Sequence, residues 1–351
     1  MIYFLAAILL FGILIAVHEF GHFIAAKCCG VKVYEFSVGM GPALWKHKRG
    51  DTEYSLRALP IGGYCALEGE DEEADTPTSL HNQSFLHKFI IYVAGAAMNF
   101  LAGIIILLMI YMPAKQLLTA EIAAVDDPTL PLMVGDEIYA LNGERVYIHS
   151  DVAMLLNTLP RDEAGTLHLT LLRDGKKIRE TLTLKDRVDE NGKEYRSYGF
   201  SYGGVTEATP LLSAKYAWNN ALDFARLVRM SFRMMFAGDV QLEDFSGPVG
   251  VIKTITKVGN ETEKADGRRA ALTDVLFIGA MIAVNLAVMN LVPIPALDGG
   301  KVFFLLLNGI GSVLFHRTIP EKYENWIHMA DFVLLMGLML LITFQDILKP
   351  M

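Results

Sequence analysis

The segment AILLFGILIAVHEFGHFIAAK, residues 7–27, places two histidines and a glutamate at the end of an almost wholly apolar run. A run of about 20 mostly apolar residues is long enough to cross a bilayer as a helix. Ionisable side chains inside such a helix are costly and are retained mainly for function. The segment therefore predicts a membrane-spanning helix that carries a functional site.

Composition extends this prediction to the whole chain. The mean hydropathy of +0.34 and the 52% share of hydrophobic residues are too high for an ordinary soluble enzyme. Four windows are apolar and long enough to span a bilayer, at about 2–24, 88–112, 271–292 and 328–347. The predicted fold class is a multi-pass α-helical membrane protein with four transmembrane helices, a cytosolic membrane-associated β-sheet and an extracytosolic α+β unit.

Polar stretches between these windows complete the predicted organisation. Alternating runs such as VKVYEFSV, broken by Gly and Pro, indicate a small antiparallel sheet. An acidic, solvated loop follows this sheet. The predicted segments are a first span at 1–30, the sheet at 31–68, the loop at 69–86, a second span at 87–112, an outer unit at 113–205, an amphipathic helix and linker at 206–270, a third span at 271–300, a cytosolic connection at 301–326 and a fourth span at 327–348.

Lysine and arginine residues near the spans predict the orientation, because they are enriched on the cytosolic side. The basic residues between the first two spans are Lys27, Lys32, Lys46, Lys48, Arg49, Arg57 and Lys88. This segment should therefore face the cytosol and the outer unit the opposite side. A cleaved signal peptide is the alternative for the first window, but MIYFLAAILLFG lacks the basic residue that such a peptide needs.

The outer unit combines VGDEIYALNGERV, a helical DVAMLLNTL and the strands LHLTLLRDG and KKIRETLTL. Gly135-Asp136 and Asn142-Gly143 are turn signals that flank the strand EIYAL. This order of turns, strands and helix resembles that of a PDZ domain, a module that captures peptide ends or strands. Residues 211–236 carry a charge every few positions, which favours an amphipathic helix on the outer membrane face, with packing against the PDZ-like unit as the alternative. No basic stripe accompanies the net charge of −8, so no nucleic-acid partner is expected.

HEFGH predicts a metal site. On an α-helix, positions i and i+4 share a face, so His18 and His22 can both bind one Zn²⁺, with Glu19 beside the attacking water. This is the metalloprotease arrangement. Catalytic zinc needs a third protein ligand and an open position, and Asp298 is the best candidate. It follows Asn290, Pro293 and Pro295 in NLVPIPALDGG, where an apolar run is interrupted at membrane depth, as is tolerated when the backbone lines a cavity.

HEFGH in the first span and NLVPIPALDGG in the third together closely resemble the site-2 protease family of intramembrane zinc metalloproteases. The PDZ-like unit resembles that of its regulator of sigma-E protease (RseP) branch, which includes RasP-type proteins. The resemblance covers essentially the whole chain, including AGAAMNF in the second span and SGPVG at 246–250. It implies a bacterial cytoplasmic-membrane enzyme with its active site toward the cytosol.

The resemblance also implies residue roles and substrates. His18, His22 and Asp298 would bind zinc, and Glu19 would act as general base and then acid. Asn290 would position the substrate or stabilise the oxyanion, beside Pro293 and Pro295. In the sheet at 31–68, an edge strand would pair with an unwound substrate, with GMGP, including Gly39 and Gly41, near its tip. Substrates would be single-pass transmembrane proteins, such as anti-sigma factors, and remnant signal peptides, and the PDZ-like unit would exclude substrates with intact outer domains.

Two other functional classes remain as alternatives. A catalytically silent membrane scaffold could bind partners through the PDZ-like unit, but it would have no need to keep Glu19 together with three candidate ligands. A transporter with a broken helix is the second alternative. Four spans without an inverted repeat argue against it.

Overall fold

The structure is a computed structural model that describes residues 1–70, 76–158, 165–188, 194–238, 246–314, 316 and 319–348. It divides into two compact units, one formed by Met1–Leu107 with Phe224–Met351 and the other by Leu108–Asp223. The predicted outer unit at 113–205 falls within the second. Each unit has its own hydrophobic core, and they are described in turn.

Four helices are long and apolar enough to cross a membrane: Ile2–Cys28, Phe85–Tyr111, Arg268–Asn290 and Trp326–Leu348. They correspond to the four windows in the sequence, which confirms the prediction of four apolar helices long enough to span a membrane. The first three coincide with helices α1 (Ile2–Cys28), α2 (Phe85–Tyr111) and α6 (Arg268–Asn290), and the fourth lies within α8 (Glu321–Leu348).

A β-hairpin follows α1 and consists of β1 (Val33–Arg49) and β2 (Thr52–Leu67). The strands bend, so that Phe36 lies opposite both Tyr54 and Cys65 of β2. The hairpin turn is at Gly50–Asp51. GMGP lies within β1, not near the tip, and this corrects the prediction. Gly39 has a φ of +87° there, and a Cβ on it would lie 2.6 Å from the Leu59 carbonyl oxygen, so the irregularity requires glycine.

The acidic segment after β2 was predicted to be solvated throughout. Residues 71–75 lie outside the described part of the chain. In the following stretch, Ser79 and Leu80 are buried, and Leu80 joins a core with Val33, Cys65 and Ile91. Leu80 N–H donates to the Glu68 carbonyl oxygen at 2.7 Å. The loop therefore packs back on the sheet, because one apolar side chain among polar neighbours is enough to anchor it.

Helix α5 (Pro248–Asp266) was not predicted, since residues 206–270 were interpreted as one helix and a linker. Its Ile255 is fully buried with Tyr3 and Ala7 of α1 and with Ala271 and Val275 of α6. Helix α7 (Asp298–Leu314) similarly occupies much of the segment that was predicted to be a plain connection. Both helices thus belong to the first unit's framework.

The second unit contains a sheet of order β10-β3-β4-β6-β7, with β5 paired to β4. Asn142 and Gly143 have φ of +46° and +83°, the left-handed values of the predicted turn between β4 and β5. Buried Asp136 accepts hydrogen bonds from Arg173 at 2.6 and 2.7 Å, and these lower the pKa of Asp136. The elements are β3 (Gln116–Val125), β4 (Glu137–Leu141), β5 (Glu144–Arg145), α3 (His149–Thr158), β6 (Thr166–Arg173), β7 (Lys176–Thr183), β8 (Lys185–Val188), β9 (Glu194–Ser197) and β10 (Phe200–Glu207).

Helix α4 (Pro210–Ala237) covers the segment with alternating charges. Within the second unit, Asn219 Nδ2 donates to the Tyr147 carbonyl oxygen at 3.2 Å, and Tyr216 donates to that of Leu118. Ala217 and Ala221 are fully buried. The first half of α4 therefore packs on the sheet unit, as the alternative interpretation and not the favoured one requires.

Candidate metal centre

Helix α1 places His18 and His22 one turn apart on the same face, as the spacing predicts. Their Nε2 atoms are 3.2 Å apart. The side chains retain 12% exposure each, so they are almost enclosed. Two imidazole nitrogens therefore converge on one point at the end of the first span.

Asp298 completes this cluster from the far end of the chain, 276 residues after His22. Its Oδ2 lies 3.1 Å from His18 Nε2 and 3.2 Å from His22 Nε2. Among the described residues, these three form the only group of His, Cys, Asp or Glu side chains arranged to hold a metal ion. The structure thus places Asp298, at the start of α7, beside the two histidines of α1, the grouping that the sequence predicts.

The separations fit a tetrahedral metal. With zinc–ligand bonds of 2.0–2.1 Å, two ligand atoms at the corners of a tetrahedron lie about 3.3 Å apart. The three observed separations are 3.1, 3.2 and 3.2 Å. Three protein ligands also leave one position open, which is the pattern of a catalytic rather than a structural zinc site.

Gly95 of α2 makes room for the two imidazoles. A Cβ built on it would lie 2.3 Å from His22 Nε2 and 2.8 Å from His18 Nε2. On the opposing helix, a Cβ at Gly21 would lie 2.4 Å from the Ala94 carbonyl oxygen. The close approach of α1 and α2 therefore places Gly95 directly against two candidate ligands.

The Nδ1 atoms of both imidazoles have partners behind the cluster. His22 Nδ1–H donates to the Ile91 carbonyl oxygen at 2.8 Å, which leaves Nε2 free to bind metal. His18 Nδ1 lies 3.4 Å from the amide nitrogens of both Asn99 and Asn290. A metal-binding histidine usually has such a second partner, which fixes its tautomer and ring orientation.

Glu19 lies between the two histidines in sequence and is half-buried. The backbone of β2 passes close by, since a Cβ on Gly63 would lie 3.5 Å from Glu19 Cγ. In the described hairpin, residues 63–67 pair with β1 on one side and with no strand on the other side. A sheet edge therefore lies next to the candidate general base.

Pro293 and Pro295 lie in the loop between α6 and α7, which turns sharply before Asp298. Ile294 N–H donates to the Val292 carbonyl oxygen at 2.7 Å. Cβ atoms on Gly299 and Gly300 would lie 2.2 and 2.4 Å from the carbonyl oxygens of Val292 and Ile294. The double glycine is therefore needed for the loop to fold back on the first turn of α7.

Helix α8 holds the same loop through two side chains that the sequence analysis missed. Ala296 N–H donates to Asp331 Oδ2 at 2.8 Å, and His328 Nδ1–H donates to the Pro295 carbonyl oxygen. An aspartate and a histidine inside an apolar span are themselves a signal of function. The sequence therefore contains a signal for both His328 and Asp331.

Gly39 and Gly41 are not brought into this cluster by any contact among the described residues. Both have a left-handed φ and lie against Leu59 of β2. Their predicted role in substrate binding remains a prediction.

Comparison with known proteins places these motifs in a family. The family model of peptidase family M50 matches residues 6–338. The chain belongs to peptidase family M50. This is the site-2 protease family, so the resemblance carried by HEFGH and NLVPIPALDGG is confirmed.

Curated relatives of this M50 chain align over its full length. A Clostridium perfringens protein that carries the name of a zinc metalloprotease is 32% identical, with 99% of each chain covered. A similarly named protein of Fusobacterium nucleatum is 31% identical, with 99% of this chain and 98% of the relative covered. The zinc metalloprotease RasP of Shouchella clausii is 29% identical, with 98% of each chain covered.

Proposed function

We propose that this M50 peptidase is an intramembrane zinc metalloprotease that hydrolyses peptide bonds within transmembrane segments of single-pass membrane proteins. The observation that carries the proposal is the convergence of His18, His22 and Asp298 to within 3.2 Å of one another. The relatives named as zinc metalloproteases support zinc as the metal. The ligand set of two imidazoles and one carboxylate also suits zinc.

When bound, zinc supplies Lewis acidity, which lowers the pKa of water and polarises a carbonyl group. Glu19 takes the proton from the attacking water and then delivers it to the nitrogen of the departing amine. Asn290, whose side chain faces His18, is proposed to donate its amide N–H to the oxyanion or to the substrate backbone. Pro293 and Pro295 are proposed to shape the wall along which the substrate lies.

A substrate helix must unwind before its backbone can be attacked, because its peptide groups are enclosed by side chains and by hydrogen bonds within the helix. The edge of residues 63–67 beside Glu19 offers a template for the unwound segment through β-augmentation. Large exposed apolar side chains on the hairpin support its association with the membrane: Met40, Leu44, Trp45, Leu56 and Leu59. Gly39 and Gly41 would give β1 the bend on which that surface depends.

The proposed location is the bacterial cytoplasmic membrane, with the metal centre toward the cytosol and the PDZ-like unit outside. Substrates are proposed to be anti-sigma factors, after a first external cleavage, and remnant signal peptides. The PDZ-like unit is proposed to exclude substrates whose outer domains are still intact. The distribution of lysine and arginine around the first two spans supports this orientation.

The test compares the wild-type protein with Glu19→Gln, which keeps the shape of the side chain but removes the base. We expect the variant to bind zinc with unchanged stoichiometry and to lose cleavage of a model transmembrane substrate. Membrane peptides that accumulate in cells with the variant identify the natural substrates. Undiminished turnover by Glu19→Gln would rule out the proposed base.

The ligand set is tested separately by His22→Ala and Asp298→Ala. Each removes one of three protein ligands, so zinc content of the purified protein should fall. Unchanged zinc stoichiometry in both variants would refute the proposed site.

A further inference from the structure

The tautomer of His18 is set by the groups around its Nδ1. Two amide nitrogens, of Asn99 and Asn290, lie 3.4 Å from this atom. If Nδ1 accepts a hydrogen bond from an amide, then the neutral ring carries its proton on Nε2. Nε2 is the atom that faces Asp298 and His22. A protonated Nε2 cannot bind a metal, so one of the two amides must present its oxygen to Nδ1–H instead.

Of the two amides, Asn99 is the one that is stabilised by presenting its oxygen to His18 Nδ1–H. Its side chain is 1% exposed, and no described residue gives its buried Oδ1 a hydrogen bond. A buried carbonyl group without a hydrogen bond destabilises the folded state. The oxygen and nitrogen of an amide are assigned from the hydrogen-bond network, and a half-turn of the Asn99 amide exchanges their positions.

After the half-turn, the amide NH₂ group occupies the buried position that Oδ1 held. Inside a helical bundle the backbone N–H groups are used within the helices, whereas each carbonyl oxygen keeps a second lone pair. The NH₂ group therefore has more possible partners in the buried position than the carbonyl oxygen has. Asn290 can then keep its N–H groups for the substrate.

We propose that Asn99 is a positioning residue of the metal centre, whose side-chain carbonyl accepts the Nδ1–H of His18 and keeps the Nε2 lone pair available to the metal. Ile91 does the same for His22 through its backbone carbonyl. Ile91, Gly95 and Asn99 are spaced four residues apart and so share one face of α2. That face orients both imidazoles and leaves room for them.

This inference rests on the proposed function, because it assigns a partner to a proposed zinc ligand. The experiment measures zinc affinity of the full-length protein by competition with a chelator, and the absorption spectrum of the Co²⁺-substituted protein. The variants are Asn99→Leu, which removes the oxygen, and Asn99→Asp, which keeps one. Asn285→Leu is the matched control, since it also removes a partly buried amide from a spanning helix and has no described hydrogen bond to the cluster.

We expect Asn99→Leu to weaken zinc binding by about 10–100-fold, the usual effect of losing the second partner of a metal-bound histidine. Its Co²⁺ spectrum should also change. Asn99→Asp should stay within a few-fold of the wild-type affinity, and Asn285→Leu should match the wild type. Thermal stability of each variant in detergent shows whether a loss of zinc reflects unfolding.

The proposal is overturned if Asn99→Leu binds zinc as tightly as the wild type, or if Asn99→Asp loses as much affinity as Asn99→Leu. It is also overturned if Asn285→Leu loses the same affinity, because the effect would then be one of packing. Failure of the proposed function has a different signature, since the wild-type protein itself would then bind no stoichiometric zinc.

Discussion

Gly95 of α2 lies against the two candidate ligands of α1, so its size affects both helix packing and metal binding. We expect Gly95→Ala to lower zinc affinity by at least tenfold, because the added methyl group would lie 2.3 Å from His22 Nε2. The backbone of α2 or the imidazoles must then move, and a small displacement of a ligand weakens a metal site. Zinc analysis of the purified variant checks this expectation.

Gly337→Ala is the matched control for this substitution. It lies in α8, and a Cβ there would meet no described atom within 4 Å. Zinc content and thermal stability should both be unchanged, or slightly higher, since alanine favours helix. Equal zinc content in Gly95→Ala and Gly337→Ala would contradict the role given to Gly95.

Glu35 in β1 makes the stability of the hairpin depend on pH. Burial raises its pKa, but hydrogen bonds from Ser55, Tyr64 and Arg57 lower it more, to about 2. Because this pKa is below the usual 4.5, the carboxylate stabilises the fold fully above about pH 4.5. That contribution is lost as the pH falls from 4.5 toward 2.

We therefore expect the hairpin to become more sensitive to an acid-active protease as the pH falls through this window. A hydrogen-bonded charge of this kind contributes about 1.5–3 kcal/mol. Glu35→Gln should be less stable at neutral pH and should show a smaller change between pH 5 and pH 3. An identical pH profile for wild type and variant would exclude Glu35 as the cause.

At the scale of elements, α8 stabilises the loop that delivers Asp298. Asp331→Leu leaves Ala296 N–H without its acceptor, at a cost of about 1–3 kcal/mol, so the loop should loosen. We expect lower zinc affinity and a lower kcat. Asp331→Asn retains an acceptor oxygen and should recover most of both, as measured by chelator competition and by turnover of a model substrate. If Asp331→Leu behaves as the wild type, then α8 does not position the loop.

The four apolar helices and the grouping of His18, His22 and Asp298 could be predicted from the sequence because each depends on local chemistry. An apolar run of 20 residues has few alternatives to a membrane helix. His18 and His22 share a face through helical spacing alone. The prediction of Asp298 needed one further observation, which is that prolines interrupt the span just before it.

Other elements depend on packing that no local pattern encodes. Helix α5 is stabilised by Ile255 against Tyr3 and Val275, residues that are distant in the chain. The contacts of Gly95 and Asn99 with the imidazoles on α1 could not be predicted from the sequence, because they depend on how the helices are placed. The tip of the hairpin was predicted wrongly at GMGP, because GMGP and Gly50–Asp51 are both plausible turns and strand pairing decides between them.

At the scale of the whole molecule, the candidate metal centre lies entirely in the first unit. Most of the second unit can be removed without separating distant chain ends, since Gln116 and Glu207 are neighbours on β3 and β10, and Ala208 N–H donates to the Lys115 carbonyl oxygen at 2.9 Å. A short glycine linker can therefore replace residues 117–206. We expect the shortened protein to keep full zinc stoichiometry.

The shortened protein should also cleave substrates that retain a folded outer domain, which the full-length protein should reject. Two model substrates, with and without that domain, test this in parallel with zinc analysis. A substrate without the domain is the control and should be cleaved by both proteins. Continued rejection of the larger substrate, with zinc retained, would remove the filtering role from the second unit.

The sequence distance between His22 and Asp298 bears on how the protein is made. Translation produces α1 first, so its imidazoles enter the membrane while most of the chain is still to be synthesised. The carboxylate that completes the cluster leaves the ribosome only after the hairpin, the second unit and α6. A nascent chain therefore lacks the third side chain of the candidate metal centre until the start of α7 has been made.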